Sequence, residues 1–230
     1  MLDGYVGQIL RGLLTTLELG LVSLVVATTI GFYAALMALS ENAVLKWLTG
    51  VYSSMIRGIP DMLLMLMLFY GGQIFLNQVI EWSGAKARIE LDQFTAGIVT
   101  LGIIYGAYFM ETFRGALMAI APGQKEAAQA FGMSRRQINL RILFPQMIRF
   151  ALPGITNNWL VMSKATALVS VIGLQDMMYR AKQAGAASHE PFTWLLFTGA
   201  LYLAITSVSL FLLRLVERKY SVGVRYGSHV

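Results

Sequence analysis

Four long stretches of the chain contain no Asp, Glu, Lys or Arg, and they limit its possible folds more than any other feature. An α-helix rises about 1.5 Å per residue, so roughly 20 apolar residues are needed to cross a hydrocarbon core of about 30 Å. A fifth stretch, Phe150–Gln175, contains a single charge, Lys164. The pattern predicts a membrane protein rather than a large soluble bundle. The four charge-free stretches are Leu19–Ser40, Met62–Ile80, Phe94–Met110 and Phe192–Leu213.

We therefore predict an all-α integral membrane protein with one transmembrane domain over residues 1–230. Only 13% of its residues are charged, which is about half the share in a typical soluble domain. Short loops at about Glu81–Gln93 and Met178–Glu190 are expected on the outer side. The five predicted spans cover about residues 13–40, 58–80, 94–118, 150–176 and 192–214.

The basic residues are divided unequally between the two sides that these spans define. Twelve of the 18 Lys and Arg fall on one side, and Lys164 lies within a span. Cytoplasmic loops normally carry the excess of Lys and Arg, so we expect the N-terminus on the outer side of the membrane and the C-terminus in the cytoplasm. The net charge of +6 then needs no nucleic-acid partner. The five basic residues on the outer side are Arg11, Lys86, Arg88, Arg180 and Lys182.

Motifs for chemistry within this chain are missing from the sequence. No Gly-Lys pair occurs, so the chain has no P-loop for ATP phosphates, and it has neither a G-x-S-x-G nor an H-E-x-x-H motif. It has no cysteine, and its two histidines, His189 and His229, lie in a loop and at the tail, too isolated for a metal site. We expect no catalytic residue, no metal site and no cofactor bound by this chain.

A polar segment, residues 122–146, interrupts this apolar chain between the third and fourth spans. Pro122 favours a first helical turn, and Gly132 can adopt the left-handed conformation that ends a helix. Ser134 is a good N-cap for a second helix over Arg135–Leu143. The sequence predicts a cytoplasmic helix–turn–helix, although composition alone is equally consistent with an ordinary loop.

The spacing within this segment resembles the E-A-A-x3-G-x9-I-x-L-P signature of permease subunits in bacterial ATP-binding-cassette importers. Phe144 replaces the Leu of that pattern, which is an apolar exchange. Stretches such as "RGIPDMLLMLMLFYG" and "ALPGITNNWLVMSKATALVSVIGL" extend the resemblance to the polar-amino-acid branch, and most narrowly to permeases of histidine and lysine–arginine–ornithine importers. The matching residues are Glu126, Ala127, Ala128, Gly132, Ile142 and Pro145.

The resemblance implies the type I importer fold and a location in the bacterial inner membrane. The first helix of the polar segment would be the coupling helix, which docks on an ATPase subunit. The implied partners are two copies of that ATPase, which bind the ATP and Mg, a periplasmic amino-acid-binding protein, and a second permease. A paralogous second permease is favoured over a second copy of this chain. The implied cargo is a polar, cationic amino acid: histidine, lysine, arginine or ornithine.

Charges within membrane spans are costly and therefore mark candidate substrate contacts. On the third span, Tyr108 and Glu111 share a helical face, with Tyr105 and Thr112 beside it. This stripe could hold a cationic side chain, and Glu111 is the acidic residue we expect to face it. The alternative is a structural ion pair between Glu111 and Arg114, three residues apart.

Two further groups of candidates lie on the fourth and second spans. Lys164 could bind a substrate carboxylate or could pair with a carboxylate of a neighbouring helix. At the start of the second span, Asp61 is either a substrate contact or, as we expect, an ion-pair partner of Arg57. The polar residues grouped with Lys164 on the fourth span are Asn157, Asn158 and Thr166.

Two other function classes are compatible with a chain that is largely membrane-embedded. A self-contained channel or secondary transporter would need a pore or coupling-ion site within five spans that show no inverted repeat. An intramembrane enzyme would need paired catalytic residues, which the sequence lacks. Copurification of an ATPase would distinguish the importer subunit from both.

Overall fold

The computed structural model describes residues 2–84 and 88–220, and within these ranges the chain is helical and contains no strand. Wide π turns lie at Met67–Gly71 and Ile138–Leu143, and a 3₁₀ segment, Thr166–Ile172, follows α8. The α-helices of the described ranges are α1 (Leu2–Ala38), α2 (Ala43–Gly58), α3 (Asp61–Leu66), α4 (Gly72–Trp82), α5 (Gln93–Met118), α6 (Pro122–Ala130), α7 (Arg135–Gln137), α8 (Phe144–Ala165), α9 (Met177–Ser188) and α10 (Pro191–Tyr220).

Four helical segments of the described chain are long and apolar enough to cross a membrane. A fifth candidate is the pair Arg135–Ile172 and Met177–Ser188, which bends by 55° and qualifies only when its two parts are taken together. The described helices therefore allow four or five spans. The four single candidates are Gly4–Ala38, Asp61–Trp82, Gln93–Met118 and Pro191–Lys219.

Helix α5 is the centre of the bundle and packs along α1, α8 and the short helix α3. Small residues allow the close approach of α1 and α5, as is common between membrane helices. A Cβ added to Gly31 would lie 2.5 Å from the Cβ of Phe109, and one added to Gly102 would lie 2.5 Å from a Val26 methyl. The main core is built around buried residues of α5, including Ile104, Tyr105, Phe109 and Met110.

A second, smaller core lies where the first half of α1 meets α9 and the start of α10. It is made of the buried residues Ile9, Met177, Ala181, Ala184 and Trp194. The Met177 backbone N–H donates to Thr16 Oγ1 at 3.1 Å, which ties α9 to α1. The loop expected at Met178–Glu190 is therefore wrong, because Asp176 caps a helix whose alanines pack against α1 and α10.

Helix α2 is a further element that the sequence did not predict. It begins after Asn42, whose side-chain oxygen accepts from the Val44 and Leu45 N–H groups. Its inward face carries Thr49, Ser53 and Ile56, and with 16 residues it is too short and too polar to be noticed as a span. It brings Ser53 and Tyr52 against α5.

Candidate functional site

The polar segment folds as a hairpin of α6 and α7 joined by a tight turn. Gly132 has φ +74°, so the left-handed conformation expected there is confirmed. Orphan carbonyl groups at the end of α6 are satisfied within the turn, since Phe131 N–H donates to Ala127 O and Met133 N–H donates to Ala128 O, each at 3.1 Å. The turn is therefore held by its own backbone.

The second half of the hairpin begins with a capping box. Ser134 Oγ accepts from the Gln137 N–H, and Gln137 Oε1 accepts from the Ser134 N–H. Ala128 of α6 and Ile138 of the π turn are buried as α6 packs on that turn, whereas Glu126 and Ala127 are exposed. The hairpin thus presents the first residues of the E-A-A pattern to the surroundings.

The second helix does not end at Leu143, as we expected, but continues through the π turn Ile138–Leu143 into α8. Pro145, the last residue of the pattern, lies in the first turn of α8. Proline has no N–H and its ring clashes with the carbonyl four residues earlier, so a widened turn before it lets the helix continue. Ile142 is half-buried within that turn. One continuous helical path therefore joins the hairpin to α8.

Glu111 is bound on both carboxylate oxygens. Arg114 donates to Oε2 from Nη2 at 2.7 Å and from Nε at 3.0 Å, and Ser53 of α2 donates to Oε1 at 3.1 Å. The two charged side chains are partly exposed, and they border an open depression of about 250 Å³ that Lys46 also lines. The ion pair that the sequence left as the alternative for Glu111 is the arrangement in the structure.

Asp61 has a different partner from the one we expected. The Tyr105 hydroxyl donates to its Oδ2 at 3.3 Å, and in the described part of the chain no ion pair joins Arg57 to Asp61. The Tyr105 and Tyr108 rings are stacked, with centroids 5.5 Å apart and planes 29° apart. Asp61 and Tyr108 are only half-buried. A carboxylate beside two aromatic rings, with no cation of the described chain in ion-pair contact, is suited to binding a cation.

The predicted residues of the fourth span separate into two faces. Asn157 and Lys164 are exposed on one face of α8, and no described carboxylate lies within ion-pair distance of Lys164. Asn158 and Thr166 point inward. Asn158 Nδ2 donates to Thr112 Oγ1 at 3.0 Å, and Thr166 Oγ1 donates to the Ser163 carbonyl at 2.8 Å.

Several polar contacts of the bundle were missed by sequence reasoning. Ser53 belongs to the unpredicted helix α2, and Glu217 near the end of α10 accepts a hydrogen bond of 2.7 Å from the Thr156 hydroxyl. Gln73 and Asn77, one turn apart on α4, both bond to the backbone of Ile89 in the following loop. The i,i+4 spacing of Gln73 and Asn77 is the only local sequence feature that could have indicated a shared contact. The contacts themselves join residues that are far apart in sequence.

Comparison with known proteins places these features in a family. The family model described as "Binding-protein-dependent transport system inner membrane component" matches residues 27–222. The chain is 51% identical over 225 residues, 98% of each chain, to the histidine/lysine/arginine/ornithine transport system permease protein HisQ of Escherichia coli K12. It is 33% identical over 214 residues, 88% of this chain and 90% of the relative, to the arginine ABC transporter permease protein ArtQ of the same strain.

A solved structure supports the same assignment. The crystal structure of an amino acid ABC transporter with histidines contains a chain that superposes with a TM-score of 0.80 at 30% identity, covering 95% of this chain and 96% of the other. The helical fold, the helical hairpin and the family match agree. This chain belongs to the binding-protein-dependent inner membrane components, the permease subunits of ATP-binding-cassette transporters.

Proposed function

We propose that this permease subunit carries a cationic amino acid inward by alternating access, and that Asp61 faces the cationic group of the substrate. The named relatives carry histidine, lysine, arginine and ornithine, or arginine. We further propose that the N-terminus is periplasmic and that the chain pairs with a paralogous permease. Two ATPase copies and a periplasmic binding protein complete the proposed assembly.

The observation that carries the substrate proposal is the set of partners of Asp61. Its carboxylate accepts one hydrogen bond from a neutral phenol, and no cation of the described chain lies within ion-pair distance of it. Such a carboxylate at the start of a membrane helix is costly unless a cation pairs with it. Glu111, the acidic residue that the sequence pattern favours, already pairs with Arg114. The structural comparison of the two carboxylates thus favours Asp61 for the binding role.

Lys164 supplies the complementary charge in this proposal. Its ammonium is exposed on the face of α8 that also presents the Asn157 amide. The 3₁₀ segment that follows Lys164 packs against α3, the helix that begins with Asp61. An amino acid with a cationic side chain also carries a carboxylate. In this proposal Asp61 faces the cationic group of the substrate, and Lys164 faces its carboxylate.

We propose that the exposed hairpin couples ATP hydrolysis in the ATPase to motion of these helices. Glu126 and Ala127 lie on its exposed surface, Ala128 is buried, and Gly132 forms the turn. Ile142 and Pro145 lie on the helical path to α8. A displacement of the hairpin would reach Lys164 along that path, because no loop interrupts it. This connection supports a coupling role for residues 122–146.

The substrate proposal is tested by Asp61→Asn, which keeps the side-chain shape and removes the charge. We expect uptake of lysine and arginine to fall at least tenfold in proteoliposomes that contain the ATPase and the binding protein, since the cation loses its counter-charge. Glu190→Gln, at an exposed outer position, is the matched control and should transport as the wild type does. ATPase copurification should be unchanged in both variants.

Two results would contradict this role for Asp61. Wild-type uptake by Asp61→Asn would show that its charge is not needed for transport. A loss of ATPase copurification that matches the loss of uptake would show that Asp61 holds the fold instead. A smaller effect, about threefold, is expected for Tyr105→Phe, which removes a single neutral hydrogen bond to the carboxylate.

A further inference from the structure

Phe131 is the most exposed large apolar side chain in the described chain, with 88% of its surface accessible. It lies at the end of α6, directly before the turn at Gly132, and so at the tip of the cytoplasmic hairpin. Large aromatic side chains rarely remain in water unless they are part of an interaction surface, where aromatic residues often dominate the binding energy. Phe131 is not one of the positions of the E-A-A pattern.

The tip of the hairpin is held in a fixed shape. The backbone bond from Met133 N–H to Ala128 O closes the turn, and the capping box of Ser134 and Gln137 begins the next helix directly after it. Buried Ala128 and Ile138 join the two arms. A side chain on such a tip loses little backbone freedom when a partner binds, which favours affinity.

The charges around the tip indicate the chemistry of the partner. Arg135 and Arg136 are exposed immediately after the turn, and Lys125 and Arg141 are exposed on the two arms. Glu126 is the one acidic residue of the hairpin. An apolar centre with a basic rim is complementary to an apolar pocket whose rim carries carboxylates.

We propose that Phe131 anchors this hairpin to the ATPase subunit by inserting into an apolar pocket with an acidic rim. This inference rests on the proposed coupling function of residues 122–146. Most of the contact between the hairpin and the ATPase would then be made by Phe131, a side chain outside the E-A-A pattern. In this view the pattern residues shape the turn and the path to α8, and Phe131 supplies the apolar surface that the partner buries.

The first test is copurification of the co-expressed ATPase with the tagged permease from detergent. We expect Phe131→Ala to lower ATPase recovery at least tenfold and Phe131→Leu to lower it less than threefold, because leucine keeps most of the apolar volume. Trp82→Ala is the matched control, since Trp82 is 81% exposed at the far end of α4. It should retain wild-type recovery. Arg136→Glu, which reverses one rim charge, should lower recovery about threefold.

A second measurement does not depend on the stability of the truncated variant. The chain contains no cysteine, so Phe131→Cys introduces a unique thiol. In inverted membrane vesicles this thiol should react with a maleimide when the permease is expressed alone and should be protected at least fivefold when the ATPase is present. A Gly123→Cys thiol, at the opposite end of α6, should be protected less.

The outcomes distinguish the anchor from the coupling function. If the wild-type permease recovers the ATPase and Phe131→Ala recovers it equally well, the anchor is refuted and the coupling function stands. An unprotected Phe131→Cys thiol in the assembled complex would refute the anchor too. If the wild-type permease recovers no ATPase, both the coupling function and the anchor are overturned.

Discussion

At the scale of single residues, three carboxylates within the bundle differ in the group that binds them, which is either a cation or a neutral hydroxyl. Glu111 pairs with Arg114, Glu217 accepts from the Thr156 hydroxyl, and Asp61 accepts from the Tyr105 phenol. A carboxylate with a cation on its own helix is neutralised before any substrate arrives, whereas one held by a neutral hydroxyl keeps its charge. This difference supports the structural role that we propose for Glu111. Of the two carboxylates held by neutral hydroxyls, Asp61 is the one beside the stacked Tyr105 and Tyr108 rings, so we propose Asp61 for the substrate contact.

The structural role of Glu111 leads to a prediction at this scale. We expect Glu111→Gln to lower the thermal midpoint of the purified complex by about 2–4 °C, because a partly exposed ion pair contributes about 1 kcal/mol or less. Arg114→Gln in the same chain should restore part of the loss, since it removes the unpaired cation. Both variants should keep the wild-type ratio of lysine to histidine uptake. A selective loss of lysine uptake without the rescue would return Glu111 to the substrate site.

Helices α1 and α5 approach so closely that glycines decide whether the main core can form. On α5, a Cβ at Gly102 would meet Val26 at 2.5 Å, and one at Gly106 would meet Ile30 at 2.8 Å. Val and Ile have nearly fixed rotamers in a helix, so they cannot easily move aside. The contact between these elements therefore depends on residue size more than on hydrophobicity.

A pair of substitutions on α5 tests this packing. Gly102→Ala should lower the yield of folded permease at least threefold, because the added methyl overpacks a seam with rigid neighbours, at a cost of about 1–3 kcal/mol. Gly115→Ala is the control on the same helix, where the added methyl would meet nothing within 4 Å. Alanine is the better helix former, so Gly115→Ala should be neutral or slightly stabilising. Fluorescence size-exclusion chromatography of both variants gives the comparison, and equal yields would contradict the close-packing argument.

At the scale of the whole molecule, the smaller core and the hairpin are separate features of the permease. The smaller core joins α1, α9 and α10, and the hairpin follows the C-terminal end of α5. The charge asymmetry predicts the compartment that each of them faces. Two residues counted for that asymmetry, Lys86 and Arg225, lie outside the described residues.

Single cysteines in this cysteine-free chain provide a direct test of the orientation. An impermeant maleimide should label Ala187→Cys, on α9, in intact spheroplasts. It should label Gly123→Cys, on the hairpin, only after the membrane is permeabilised. The positive-inside asymmetry is the physical reason for this expectation. The reverse labelling pattern would refute the periplasmic N-terminus.

The sequence by itself determined the features that depend on local interactions. Charge-free stretches located the apolar helices, because each helix satisfies its own backbone hydrogen bonds and its length is set by the membrane. The hairpin followed from Pro122, Gly132 and Ser134, since a first turn, a left-handed residue and an N-cap each act within a few residues. The residue pattern that identifies the family lies in that same segment.

Only the tertiary structure decided which polar groups pair with each other. Tyr105 and Asp61 are 44 residues apart in sequence, Asn158 and Thr112 are 46 apart, and Ser53 and Glu111 are 58 apart. No periodicity specifies such contacts, because they depend on how α3, α2 and α8 rotate against α5. The continuation of the hairpin into α8 was likewise beyond local rules, because the π turn Ile138–Leu143 has to accommodate Pro145. Helix α9, in contrast, has local signals that the sequence analysis missed, namely an N-cap at Asp176 and alanines that favour a helix.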